Sequence, residues 1–326
     1  MVSINTKDIL RVYKREGNIK EYLNGINYLS ILNSKNEEEK ACLIRKRKIR
    51  PNTARRWIKG IRTPYSIKCL NYLKEKSMLP YKPTERTARI FGFLQGDGPL
   101  LKSFRGFSFI SKDKEILLEI SKDVFKEFKI LGKIKQKRKV GDIECIHGKK
   151  FFVKFPTYEI KFNSRTVSSL LLVLGATPGN KMNKKINVPQ WIRRGNKKIK
   201  REFLKGLFDA EFSNSQISQF TSHKANLSSP RMEMGKKLEL EENLKEYLSE
   251  ISSLLKDFHI ESKVTYRREY KKGRIAWTLL VSNKLLNIKK LIDSIGFHYN
   301  TKRENEAIKI NSLIKRKLSQ LNSRVS

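Results

Sequence analysis

The chain has 326 residues, with 71 Lys and Arg against 32 Asp and Glu, for a formal net charge of +39. Residues 1–85 hold 20 basic and 8 acidic side chains, and the rest is also strongly basic, so the excess is not a tail. Such a field calls for a polyanionic partner, with nucleic acid the first candidate, and it excludes a neutral metabolic enzyme and a collagen-like fibre.

Apolar residues make up 38% of the chain, enough for packed cores, and the length suggests two or three domains. Cys42, Cys69 and Cys145 are too scattered for a zinc site or a disulfide framework. The expected compartment is therefore the reducing cytoplasm, with nucleoid association following from the charge. Residues 167–176 form the longest apolar stretch, too short to cross a bilayer. The first residues lack the apolar region of a signal peptide. No membrane partner is expected, and the chain reads as a monomer.

Residues 1–80 read as short helices. Within them a helix ends near Lys48, Ile49-Arg50-Pro51 turns, and a second helix opens at Pro51 or Asn52, since proline tolerates the first turn and asparagine caps it. Ala54, Trp57 and Ile58 make one apolar face, Gly60 stops the helix, and Pro64 follows. The segment resembles the helix-turn-helix units of phage-repressor-like and resolvase-like domains. That resemblance implies that Asn52, Thr53, Arg55 and Arg56 enter a major groove. Pro80 and Pro83 then mark residues 81–86 as a linker.

The strongest signal is an internal near-repeat. Residues 90–98 read Ile-Phe-Gly-Phe-Leu-Gln-Gly-Asp-Gly, and residues 203–212 read Phe-Leu-Lys-Gly-Leu-Phe-Asp-Ala-Glu-Phe. Gly92 and Gly96 share one helix face, as do Gly206 and Ala210. Glycine inside a helix costs about 1 kcal/mol relative to alanine, a cost that makes sense where two backbones approach closely. The two helices are thus expected to pack along their small residues, bringing Asp97 and Glu211 to one place. Carboxylates at helix C-termini are disfavoured by the dipole and by each other. A divalent cation such as Mg²⁺ relieves both penalties and can activate water for phosphodiester cleavage.

At these residues the chain resembles the LAGLIDADG homing endonucleases, in their single-chain, two-motif, archaeal form. The resemblance implies an α+β fold: two pseudo-symmetric αββαββα halves, at 87–200 and 201–326, whose sheets form a DNA-binding saddle behind the helical domain at 1–80. It also implies that Asp97 and Glu211 share two or three Mg²⁺ ions, with Gly96 and Ala210 beside them, in a site-specific double-strand DNA endonuclease.

The flanking pattern agrees with such halves. A strand is expected over 104–110, a helix over 115–128 with Ile116, Ile120, Val124 and Phe128 inward, strands over 132–139 and 151–162, and a helix over 165–174. The second half repeats the order with strands near 216–220 and 231–236, a helix over 242–258, strands over 262–270 and 275–281, and a helix over 284–295. The stretches Gly175-Ala-Thr-Pro-Gly-Asn-Lys and Val188-Pro-Gln-Trp-Ile also resemble archaeal members. On that resemblance Lys181 points at the active centre, and Lys302 is the looser match in the second half. Lys133, Lys135 and Lys137 share one strand face, and with Arg267, Arg268 and Lys271 on the matching hairpin they are expected to track DNA. Gln95 and Phe212 depart from the family pattern, and Phe212 is expected to narrow the room for metal or phosphate. The sequence lacks the His-Asn end of a splicing element, so a free-standing or intron-encoded protein is expected. Two other functions stay open: a non-catalytic DNA-binding regulator with a degenerate core, and a maturase acting on intron RNA.

Overall fold

A computed structural model describes residues 3–146, 149–220, 225–270 and 273–322. Five helices come first: α1 (Thr6–Arg15), α2 (Ile19–Leu32), α3 (Glu37–Lys46), α4 (Pro51–Ile58) and α5 (Tyr65–Glu75). Then follow α6 (Glu85–Gln95), β1 (Phe107–Ser111), α7 (Lys114–Phe128), β2 (Lys133–Arg138), β3 (Ile143–Ile146), β4 (Lys149–Phe152), β5 (Thr157–Phe162) and α8 (Arg165–Val173). Next come α9 (Gln190–Arg193), α10 (Lys197–Glu211), β6 (Phe212–Ser213), β7 (Ile217–Phe220), β8 (Ala225–Leu227) and β9 (Arg231–Lys237). The last elements are α11 (Glu241–Lys256), β10 (Ser262–Tyr270), β11 (Arg274–Val281), α12 (Leu285–Ser294) and α13 (Thr301–Asn322).

The chain divides into two compact units, one of residues 1–82 and 165–174, the other of residues 83–164 and 175–326. In the first, α3, a turn and α4 follow the expected pattern. Lys48 has φ +50° and Gly60 φ +68°, which ends each helix. Pro51 takes the first helical position, so Asn52 does not cap it. Ala54 and Trp57 are buried, with the Trp57 ring edge-on to Tyr28 at 5.9 Å. Ile58, expected on the same apolar face, is 41% exposed, because its neighbour Trp57 already fills the inward side of this short helix. Asn52, Arg55 and Arg56 are exposed and Thr53 half-buried.

Helix α8 belongs to this unit, whereas its sequence position places it in the first α+β half. It packs on α1 and α5: the Tyr13 and Ser169 hydroxyls lie 2.9 Å apart, and the Arg165 guanidinium lies 4.0 Å from the Tyr65 ring centroid. The stretch expected as a linker is also partly ordered by its neighbours. Tyr81 exchanges two backbone hydrogen bonds with Ile4, and Thr84 forms a capping box with Thr87 at the start of α6.

The second unit is α+β and internally duplicated. Its second-half sheet runs β6-β9-β11-β10, all antiparallel. The first-half sheet runs β1-β5-β2, and an antiparallel bridge from Leu100 to Phe107 stands outside β1. In both, the second strand of one hairpin pairs with the second strand of the next, so the two halves share a topology. The alternation that specifies β9 has Met232 and Lys236 buried and Arg231, Glu233 and Gly235 exposed. Helix α7 presents Ile116, Ile120, Val124 and Phe128 inward, and Asp113 caps its N-terminus.

The strand expected over 104–110 starts only at Phe107, since Phe104 has φ +55°. The strand expected over 151–162 splits into β4 and β5 around Pro156. Helix α13, unassigned in sequence, covers α12 through a cluster of Ile288, Ile310, Ile314 and Leu227. Among the described residues no helix is long and apolar enough to cross a membrane.

Candidate functional site

Helices α6 and α10 meet face to face along their small residues. A Cβ on Gly206 would stand 1.9 Å from the Arg89 carbonyl oxygen, and one on Gly92 would stand 2.1 Å from that of Phe203. A Cβ on Gly96 would lie 2.5 Å from the Ala210 methyl and 2.8 Å from Glu211 Cγ. Only hydrogen fits at these points, so the notches set the approach of the two backbones.

Asp97 follows the last turn of α6, its N–H donating to Phe93 at 3.1 Å, and Glu211 is the final residue of α10. Both line one open cavity of about 560 Å³, together with Gln95, Lys181, Glu233 and Lys236. Glu211 is half-buried, whereas Asp97 keeps a solvent-facing surface. Burial, then the neighbouring Asp97 charge, push the Glu211 carboxyl up to about 7, against Lys181 and Arg303. Asp97 is also raised by desolvation, with Lys181 and Arg303 opposing. Burial lowers Lys181 to about 8, although Glu211 and Asp97 favour its charge.

Lys181 lines this cavity and caps a helix. Its ammonium donates to the carbonyls of Leu94 (2.9 Å), Gln95 (2.8 Å) and Gly96. It thereby caps the C-terminus of α6, where the orphan carbonyls and dipole favour a cation. The Gly96 carbonyl, expected beside a metal, thus already accepts from Lys181. The corresponding cap on α10 is Arg303, whose guanidinium donates to the carbonyls of Phe208 and Asp209 at 3.0 Å each. With Asp97 matched to Glu211, these carbonyls match those of Leu94 and Gln95. Lys302, expected in this role, is exposed and pairs with Asp113 at 3.0 Å. The phase of α13 decides between the two neighbours, and that phase is not fixed by the sequence motif.

Two further residues were not found from sequence. Lys236 is 1% exposed, and its ammonium donates to the carbonyls of Lys181 (3.1 Å) and Lys184. Burial, then the Lys181 charge, lower it to about 8. A signal was available: Lys236 stands at an inward register of β9, where the alternation of Met232 calls for an apolar side chain. Asp209 is the second. Its carboxylate accepts from the backbone N–H groups of Tyr299 (2.9 Å), Asn300 (3.1 Å) and His298 (3.1 Å to each oxygen). This ties the end of α10 to the start of α13. Burial nevertheless pushes Asp209 up to about 6, those N–H donors and Arg303 opposing.

Gln95 stands where Asp209 stands in the other half. It is buried, and among the described residues its Oε1 has no hydrogen-bond partner. Phe212 does not crowd the cavity: it is buried, and its ring stacks on Phe208 with centroids 4.0 Å apart. The helix pair is held laterally by Arg89, which bonds Asp123 (2.9 Å) and Glu202 (2.8 Å), and by Tyr299, whose hydroxyl donates to Asp123 (2.8 Å).

At the two helix ends the potential metal donors are oxygens, the Asp97 and Glu211 carboxylates and the Gln95 amide oxygen, and Glu233 adds a third carboxylate to the cavity lining. This donor set suits a hard divalent cation better than a soft one. Among the described residues no three His, Cys, Asp or Glu side chains cluster closely enough to hold a metal alone. Mg²⁺ commonly completes its shell with water and substrate phosphate, so two carboxylates fit such an ion.

On the sheets, Lys133, Lys135 and Lys137 are exposed on β2, an edge strand. Arg268 is exposed on β10, with its guanidinium 5.6 Å from the Tyr270 ring centroid. Arg267 falls on β10 as well, and Lys271 lies outside the described residues.

Residues 198–296 match the family model of a LAGLIDADG-like domain. The chain is 28% identical over 259 residues to a tRNA-splicing ligase RtcB of Methanopyrus kandleri, covering 76% of this chain and 25% of that protein. It is also 28% identical over 255 residues to the DNA-directed RNA polymerase subunit Rpo1N of Methanocaldococcus jannaschii, covering 76% of this chain and 18% of that protein. The chain thus spans about a quarter or less of the length of these relatives. A crystal structure of I-DmoI in complex with DNA and Mn aligns over 66% of this chain and 98% of that one, at 15% identity and a TM-score of 0.40.

Proposed function

We propose that the chain, whose residues 198–296 belong to the LAGLIDADG-like domain family, is a divalent-metal-dependent endonuclease that cuts double-stranded DNA at a specific site. The observation that carries this reading is the convergence of Asp97 and Glu211 at the ends of two notched helices, in an open cavity beside Lys181. A ligase or polymerase activity does not follow from the curated relatives. Two differently named proteins share this stretch with the chain, and in each it is a minor part. A shared minor part reads as a module independent of either name.

In this proposal Asp97 and Glu211 hold Mg²⁺, which supplies a Lewis acid for the phosphate and an activated water. The glycine notches fix the separation of the carboxylates. Lys181, whose three N–H donors are taken by the carbonyls of α6, supplies a fixed positive charge at the cavity that offsets charge developing on a scissile phosphate. Lys236 acts as a positioning residue, since it fixes Lys181 through the carbonyls of residues 181 and 184. Lys133, Lys135, Lys137 and Arg268 supply sequence-independent phosphate contacts from the two sheets.

The test is incubation with a genomic duplex library and Mg²⁺. Discrete cuts that vanish in Asp97→Asn and in Glu211→Gln support the assignment, and cuts that survive both changes refute it. A second reading, a DNA-binding regulator without cleavage, is favoured by the exposed Asn52, Arg55 and Arg56 on α4. It is selected if one operator is bound tightly with no metal requirement and no cleavage.

A further inference from the structure

Between β2 and β5 the first half carries an extra two-stranded ribbon, β3–β4, with Ile143 opposite Phe152. A ribbon of two strands has no second layer to cover its faces. Large apolar side chains concentrate in the open on the ribbon, where Phe152 is 71% exposed, Phe151 49% and Ile143 58%, and just past its second strand, where Phe155 is 60% exposed. Elsewhere in this chain most phenylalanines are buried.

Such a patch alone would suit a protein partner. Its surroundings do not. Residues 133–155 hold eight Lys and Arg against Asp142 and Glu144, and Lys150 and Lys154 are exposed on either side of the phenylalanines. The Lys112 ammonium lies 5.1 Å from the Phe155 ring centroid. Flat apolar faces inside a positive field match a polyanion that itself carries flat apolar faces, which describes nucleic acid bases between phosphates.

We propose that this ribbon is a stacking wedge: Phe152 and Phe155 insert against bases of duplex DNA that they unstack, while Lys150 and Lys154 hold the adjacent phosphates. The inference rests on the DNA reading of the preceding subsection and deepens it, since phosphate tracking by the sheets requires no distortion of the duplex. The distortion is one-sided. On the matching β10–β11 hairpin Tyr270 pairs with Arg274, its hydroxyl donates to Glu233 (2.8 Å), and the Arg268 guanidinium lies 5.6 Å from its ring centroid.

The experiment starts from a duplex enriched by binding of the full chain to a random DNA pool, so that it does not depend on cleavage. If no duplex is enriched, the DNA reading itself fails and the wedge with it. With a selected duplex carrying 2-aminopurine at successive positions, the intact protein raises fluorescence at one flank only. Phe152→Ala with Phe155→Ala abolishes that rise and weakens binding by about tenfold or more, with the salt dependence unchanged. Lys150→Gln with Lys154→Gln weakens binding and lowers the slope of log affinity against log salt by roughly two. The four residues are exposed, so unchanged thermal unfolding shows that the variants are folded. Normal duplex binding with full 2-aminopurine response in the double phenylalanine variant overturns the wedge and leaves the endonuclease reading intact.

Discussion

Replacing Gly206 by alanine adds one methyl group at the closest point of the α6–α10 interface. Helix propensity alone favours the change by about 1 kcal/mol. The structure opposes it: the new Cβ would stand 1.9 Å from the Arg89 carbonyl oxygen and 2.9 Å from the Phe93 nitrogen. Real Cβ atoms do not approach backbone within about 3 Å, so the helices must part by about 1 Å. Neither neighbour can rotate away, because both are main chain. Parting loosens Phe91, Phe203, Leu204 and Leu207, all fully buried. Overpacking of this kind costs about 1–3 kcal/mol, and loss of packing along the helices adds to it. A net loss of about 2 kcal/mol is expected after the propensity gain, or a fall in Tm of about 4–8 °C for a unit of this size. Scanning calorimetry of Gly206→Ala beside Gly235→Ala is the assay. The methyl at 235 meets only the Ile275 oxygen at 3.6 Å, and that variant is expected to unfold near the wild-type temperature. A Gly206→Ala protein as stable as the wild type would show that the helices are not in contact there.

Other outcomes follow from the same geometry. The Glu211 carboxyl is raised to about 7, so its proton stays on in the folded chain while the unfolded chain releases it near the ordinary value. Its contribution to stability is full below that ordinary value and is lost as pH rises through about 7. Glu211→Gln should therefore raise Tm at pH 8 and change it little at pH 4, and a shift independent of pH would contradict the buried-carboxylate account. Added Mg²⁺ should raise the Tm of the wild type at pH 8 and leave the doubly substituted Asp97→Asn, Glu211→Gln protein unmoved, and equal stabilisation of both would place the ion elsewhere. Lys236→Met should lower the cleavage rate at saturating DNA at least tenfold with little change in affinity, and Lys236→Arg should restore part of it. An affinity loss without a rate loss would make Lys236 a DNA contact, not a support for Lys181. Arg55→Ala with Arg56→Ala should weaken duplex binding and flatten its salt dependence by up to about two, which titrations at several salt concentrations measure.

Much of this molecule was legible as a one-dimensional pattern because the physics behind it is local or periodic. The paired small residues at spacing four predicted a close helix crossing, since only a missing Cβ permits it, and the contacts at Gly92 and Gly206 bear this out. The alternation of β9 and the inward stripe of α7 likewise follow from strand and helix periods. What the sequence left open depends on which neighbour arrives from far along the chain. The sequence match fell on Lys302, and the rotation of α13 about its axis brings Arg303 to the end of α10 instead. Phe212 read as an obstruction because its direction was unknown, and stacking on Phe208 turns it away from the cavity. Helix α8 carries the same apolar signal whichever core receives it, and only tertiary packing assigns it to α1 and α5. Lys236 is the clearest case. A lysine in a strand is ordinarily a surface residue, and its burial became interpretable only when two carbonyls from residues 181 and 184, more than fifty positions earlier, were brought to its ammonium.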